Sequence, residues 1–90
     1  MKSNNIIAKT ARLESAIELL AEETGKVINL IVDEKNKDRP NRERLEALDK
    51  KLSVLRNEKM SLSVDNVEHI GAVIKKYGQK SEEYQHASGL

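Results

Sequence analysis

Cysteine is absent from this 90-residue chain, and so are phenylalanine and tryptophan. Without cysteine there is no disulfide bond, no thiolate zinc site and no cysteine nucleophile, and the composition suits a reducing compartment. We therefore predict a cytoplasmic location. A single chain of this size buries only about 60 to 65% of its unfolded surface, so burial against a partner would help to stabilise it.

Excess charge and long apolar runs are also missing. Lysine and arginine number 16 against 15 acidic residues, which removes any general attraction to nucleic acid or anionic membranes. The most apolar stretch, residues 27–32, is far shorter than the roughly 20 residues that cross a bilayer. The apolar residues around Ile6 are too few for the core of a signal peptide. The composition predicts one soluble domain without membrane contact.

A seven-residue apolar repeat runs through the first third of the chain. Such a repeat is typical of a helix that packs against other helices. It predicts a first helix over about residues 5–34, whose apolar arc covers about half of the circumference and needs more than one neighbour. Two series form the repeat: Ile6, Leu13, Leu20 and Val27 at one position, and Thr10, Ile17, Thr24 and Ile31 at the other.

Residues 25–32 allow a second interpretation. Gly25 followed by β-branched residues can mark the end of a helix and the start of a strand. The repeat nevertheless continues in phase through Gly25, and a glycine inside a helix costs only about 1 kcal/mol. A strand would also need a partner, for which pairing across a dimer is the alternative. We favour the helix.

A turn and a second helix follow. Pro40 disfavours helical geometry at the residue before it, and Asp38 or Asn41 can cap the next helix. The second helix is predicted over about residues 41–60, with a narrow leucine seam. Antiparallel pairing with the first helix would place Leu55 beside Leu20. The seam consists of Leu45, Leu48, Leu52 and Leu55.

A third helix is predicted over about residues 64–77. Ser63 or Asp65 can cap its start, and Gly78 suits its end. Residues 79–90 are expected to form a flexible tail. The predicted fold is all-α: a long antiparallel, coiled-coil-like hairpin plus a shorter third helix, in one domain over residues 1–78.

The predicted second helix is too short to cover the first. Ile6, Ile7 and Leu13 would then be left uncovered, unless the third helix or a second copy of the chain covers them. A twofold dimer would cover them, because a self-complementary patch buries the same residues from both copies. We therefore expect a dimeric bundle.

Residues suited to catalysis or metal binding are scarce. His69 and His86 are far apart in the sequence, with no carboxylate cluster at ligand spacing. The serines lack the context of an activated nucleophile, and the four glycines form no phosphate-binding loop. The sequence predicts a protein that is not an enzyme and binds no cofactor or metal.

A protein-interaction role agrees best with these features. The expected module is a homodimer with a further protein partner, and it acts as an inhibitor or antitoxin, a chaperone or a regulatory adaptor. Uncovered apolar side chains of the first helix would make the contact. The candidate residues are Ile6, Ile7, Leu13, Leu19 and Leu30.

Nucleic-acid binding is the alternative function. Basic residues cluster on and before the second helix and could neutralise phosphates. Acidic residues are interspersed among them, and no aromatic residue in that region could stack on a base. The candidate residues are Arg39, Arg42, Arg44, Lys50 and Lys51.

Overall fold

Three α-helices make up the part of the chain that the structure describes. The computed structural model describes residues 2–88, with side chains from residue 6 to residue 78. The helices are α1 (Lys2–Lys35), α2 (Arg42–Ser61) and α3 (Val67–Ser88), and the described residues contain no strand. The all-α prediction is confirmed. Because α1 continues through Gly25, the strand interpretation of residues 25–32 is wrong.

Asparagine side chains cap the second and third helices. Asn41 Oδ1 accepts a hydrogen bond from the Arg44 backbone N–H at 3.1 Å, as one of the two predicted caps of α2. Asn66 Oδ1 accepts from the His69 N–H at 3.1 Å. The predicted caps of the third helix, Ser63 and Asp65, are wrong, and α3 begins at Val67 instead of residue 64.

The C-terminal end predicted for the third helix is also wrong. A glycine ends a helix by adopting a left-handed backbone, but no described glycine has a positive φ. The helix passes through Gly78 and ends at Ser88, so α3 has 22 residues and is longer than the 20-residue α2. The flexible tail proposed for residues 79–90 stays a prediction, because those side chains lie outside the described part.

The core lies where α1 meets the other two helices. Both α2 and α3 pack on α1, and the described residues of α2 and α3 make no close backbone contact with each other. Half-buried leucines of α2 line the edge of this core. The buried apolar residues are Ala16, Leu20, Val27 and Ile31 of α1, Leu55 of α2, and Ile70, Val73 and Tyr77 of α3.

The molecule is extended and open. Its Cα atoms span 59 × 33 × 15 Å with a radius of gyration of 16.0 Å, against about 12 Å for a compact chain of this length. Its accessible surface is 6995 Å², whereas a compact protein of this mass exposes roughly 5300 Å². Because α2 and α3 both pack on α1 and make no close backbone contact with each other, a large surface is left to solvent.

Gly25 offers a test of the continuity of α1. A Cβ atom built at this position meets nothing within 4 Å, and the backbone is helical. Gly25→Ala is expected to raise the free energy of unfolding by about 0.5 to 1 kcal/mol, because alanine loses less backbone entropy on folding. Urea unfolding is the measurement. Gly71→Ala is the control with less space, since its Cβ would lie 3.4 Å from Arg12 Nη2. A loss of stability at position 25 would contradict a continuous α1.

Candidate functional site

The predicted apolar residues do not form one surface. Ile6 and Ile7 are 62% and 66% exposed, and Leu30 is 40% exposed. Leu13 and Leu19 are half-buried and pack against the core. Leu30 lies 24 residues after Ile6, or about 36 Å along the helix at 1.5 Å per residue. Only Ile6 and Ile7 remain as neighbouring exposed candidates.

Ile6 continues the buried seam of α1 beyond its covered part. It lies seven residues before Leu13 and fourteen before Leu20 in the same series, so the three lie along one side of the helix. Exposure falls along this series from Ile6 through the half-buried Leu13 to Leu20, which is fully buried. The side of α1 that forms the core therefore extends past its intramolecular neighbours.

The first turns of α3 lie beside this end of α1. Gly71 faces Arg12, and Gly78 lies 3.8 Å from Leu19 Cδ1 when measured from a built Cβ. The two helices thus run in the same direction. Val67 precedes Gly71 by one turn, which places it near the level of Ile6 and Ile7 along α1.

The last turn of α2 is at the same end. Glu58 Oε1 lies 3.1 Å from His69 Nε2, which joins the end of α2 to the start of α3. Val67 is 47% exposed. Met60 is 83% exposed, but it follows Glu58 by two residues, about 200° around α2, so it points away from the side of α2 that contacts His69. We call Ile6, Ile7 and Val67 the end patch.

The basic candidates divide into two groups. All five side chains are exposed, but Arg44 Nε lies 3.1 Å from a Glu34 carboxylate oxygen, and Lys51 Nζ lies 3.8 Å from Glu23. Arg39, Arg42 and Lys50 form no ion pair with any residue of the described chain. Two of the five charges thus contact acidic residues of α1.

Glu34 is a buried carboxylate that the sequence analysis missed. It is 2% exposed. Oε2 accepts a hydrogen bond from the Asn41 backbone N–H at 2.9 Å, and Oε1 accepts one from Lys37 Nζ at 2.9 Å. Arg44 Nε forms an ion pair with Oε1 at 3.1 Å. These donors lower the pKa of Glu34, and the Asn41 hydrogen bond is the largest cause. The carboxylate fastens the turn between α1 and α2. The sequence contained a signal for this burial. Glu34 follows Val27 by seven residues and so occupies the next position of the apolar series.

Glu23 is a second buried carboxylate, at 8% exposure. Lys26 Nζ and Lys51 Nζ lie 3.9 and 3.8 Å from its two oxygens. Within residues 6–78, every buried side-chain nitrogen or oxygen has a hydrogen-bond partner. The buried charges are therefore satisfied inside the chain, and their contacts join α1 to α2.

The part of the chain that the structure describes contains no pocket and no group of three or more residues placed to hold a metal ion. None of its helices combines the length and apolar character needed to span a membrane. Comparison with known protein families, characterised proteins and solved structures finds no match to this chain. The candidate surfaces are the end patch and the five basic residues on and before α2.

Proposed function

We propose that this protein is a non-enzymatic interaction module that binds protein through its end patch. The observation that carries the proposal is the exposure of Ile6 in line with the buried Leu20. A core-forming side of a helix that continues into solvent is an apolar surface available to another molecule. Inhibitor or antitoxin, chaperone and regulatory adaptor are the roles in this class, and a homodimer is the proposed assembly.

The surface area supports an interaction role. The chain exposes roughly 1700 Å² more than a compact protein of its mass would. A standard interface buries about 800 Å² on each partner. One such interface would therefore bring the exposed surface closer to that of an ordinary globular protein.

The proposed framework is an antiparallel, coiled-coil-like pairing of α1 and α2. Contacts support it: Glu34 of α1 meets Arg44, and Glu23 meets Lys51, so later residues of α2 contact earlier residues of α1. Leu20 and Leu55 share the buried cluster further along. This pairing would hold α1 rigidly, which lowers the entropy cost of presenting the end patch to a partner.

Polar replacement of the end patch tests the proposal. Ile6→Glu together with Ile7→Glu is expected to weaken capture of the protein partner from a native-host lysate by about thirtyfold or more, because lost anchor contacts cost about 2 kcal/mol or more. Mass spectrometry with isotope-labelled quantification is the measurement. Val54→Glu is the matched control, since Val54 is 57% exposed on α2. Circular dichroism must show equal helix content in all variants.

The same capture experiment separates the nucleic-acid alternative. Arg39, Arg42 and Lys50 are the suitable positions for glutamine, because they make no ion pair within the described chain, unlike Arg44. Capture that survives this triple replacement and nuclease treatment agrees with the proposal. Capture that survives the isoleucine changes but is lost with the triple replacement, and that weakens steeply with salt, would favour nucleic acid.

A further inference from the structure

A second row of positions runs along α1 beside the row that forms the core. Its members are spaced by three and four residues in turn, and each follows a buried or half-buried position by one residue, which is about 100° around the helix. Because α1 is one continuous helix, these positions lie along one side of it over about 26 Å. We call this row the second face; it consists of Glu18, Ala21, Gly25, Ile28, Val32 and Lys35.

The described residues of α2 and α3 leave the second face open. Every member except Gly25 is exposed, with Ile28 at 41% and Val32 at 49%. A Cβ atom built at Gly25 meets nothing within 4 Å, so the space beside this glycine is free. An apolar row of a helix that has no neighbour is a surface on which another helix can pack.

Large and small residues of the second face follow an order that fits its own reverse. In an antiparallel pair of such helices, placing Ile28 of one copy over Gly25 of the other also places Val32 over Ala21, because both pairs of residue numbers have the same sum. Each large side chain then meets a small residue. This is the arrangement by which facing helices interdigitate and reach a close-packed contact.

The charged ends of the second face match in the same register. Glu18 and Lys35 are exposed, and neither forms an ion pair with another residue of the described chain. In the antiparallel pair Glu18 of each copy faces Lys35 of the other, and the twofold axis makes this contact occur twice. Parallel docking would instead place like charges together. Residue size and charge therefore indicate the same register independently.

We propose that a second copy of this chain packs antiparallel on the second face, with Ile28 over the partner's Gly25 and Lys35 beside the partner's Glu18. The inference rests on the homodimer of the proposed function and goes beyond it, because it assigns the dimer contact to a surface separate from the end patch. The partner's α1 ends at Lys35. Ile7 lies eleven residues before Glu18, or about 16 Å beyond the paired segment.

Replacement of Ile28 by glutamate tests the apolar part of the contact. Sedimentation equilibrium of the full chain measures the dimer dissociation constant, which is expected to rise about tenfold or more for Ile28→Glu, because an apolar anchor is replaced by a charge. Leu30→Glu is the matched control. Leu30 is 40% exposed on the same helix but lies about 200° around it from Ile28, so its dissociation constant is expected to stay nearly unchanged. Circular dichroism must show equal helix content in both variants.

Charge reversal tests the register at low salt. One variant carries Glu18→Lys and the other carries Lys35→Glu. Each variant alone places like charges at both ends of the contact, so its dissociation constant is expected to rise about tenfold or more. An equimolar mixture restores opposite charges at both ends, and it is expected to form a heterodimer about as tight as the wild-type homodimer.

Four results would overturn the inference. The first is a wild-type chain that stays monomeric up to about 100 μM, where even a weak micromolar dimer forms. The second is an equal effect of Ile28→Glu and Leu30→Glu, and the third is a failure of the two charge variants to recover on mixing. The fourth is loss of the dimer on replacing Ile6 and Ile7, which would place the contact at the end patch. Lysate capture tests the proposed function separately, because it depends on the end patch and not on Ile28.

Discussion

Replacing Leu20 with alanine is expected to lower the free energy of unfolding by about 2 to 5 kcal/mol. Leu20 is 0% exposed, and it lies in the same buried cluster as Leu55, which is 1% exposed. Truncation removes apolar contacts with a closely packed environment and leaves a cavity that the helices fill only in part. Urea unfolding followed by circular dichroism measures the change.

The matched control for this substitution is Val54→Ala. Val54 is more than half exposed on α2, so its truncation is expected to change stability by less than about 0.5 kcal/mol. A cost below about 1 kcal/mol for Leu20→Ala would fall outside the range for a fully buried leucine. That result would mean that α1 does not form the core at this position.

Glu34→Gln is expected to destabilise the protein at neutral pH. The carboxylate accepts two hydrogen bonds, from the Asn41 N–H and Lys37, and forms an ion pair with Arg44. An amide keeps one acceptor oxygen but turns an NH₂ group toward one set of donors, and it removes the charge that pairs with the two cations. The urea concentration at the midpoint of unfolding at pH 7 is expected to be clearly lower for Glu34→Gln than for wild type.

The pH dependence of this effect has a defined sign. The pKa of Glu34 in the folded state lies below its ordinary value of 4.5, chiefly because the Asn41 N–H donates to the carboxylate. A lowered pKa means that the folded state favours the charged form, so the stabilisation is complete above the unfolded-state pKa. It is lost as pH falls through the folded-state pKa. The difference between wild type and Glu34→Gln is therefore expected to shrink on acidification below pH 4.5.

Glu46→Gln supplies the control for Glu34. Glu46 is an exposed carboxylate inside α2, so neutralising it is expected to leave the urea midpoint nearly unchanged. Equal midpoints for Glu34→Gln and wild type across this pH range would show that the turn is held by other contacts. Asn41 also caps α2 through its own side chain and would be the next position to replace.

Apolar periodicity was sufficient to predict the helices but not all of their ends. The seven-residue series correctly predicted that α1 continues through Gly25. A glycine inside a helix lowers its stability only slightly, and the apolar repeat stays in phase on both sides of it. The prediction that the third helix ends at Gly78 was wrong. A glycine indicates a helix end only when the chain turns there, and Gly78 instead lies against Leu19 inside a continuing helix.

The candidate surfaces were harder to predict because exposure depends on where helices stop covering each other. Leu13 and Ile6 occupy equivalent positions in the repeat, yet Leu13 packs on the core and Ile6 is exposed. Their difference depends on how far α3 and α2 extend along α1, which periodicity does not specify. Glu34 was missed because a carboxylate ordinarily indicates a surface, whereas here Lys37 of the turn and Arg44 of α2 make its burial possible.

The position of α1, on which both α2 and α3 pack, also bears on how the chain assembles during synthesis. The pairing of α1 with α2 closes a short loop, while the packing of α3 on α1 places Gly71 near Arg12 and Gly78 near Leu19, which are far apart in the sequence. Domains emerge from the ribosome N-terminus first, and contacts between distant residues carry a higher entropy cost of closure. We therefore expect α3 to dock after α1 and α2 have paired. Until α3 docks, the part of the α1 core that α3 covers would be exposed to other chains, so we expect the risk of aggregation to be concentrated in that interval.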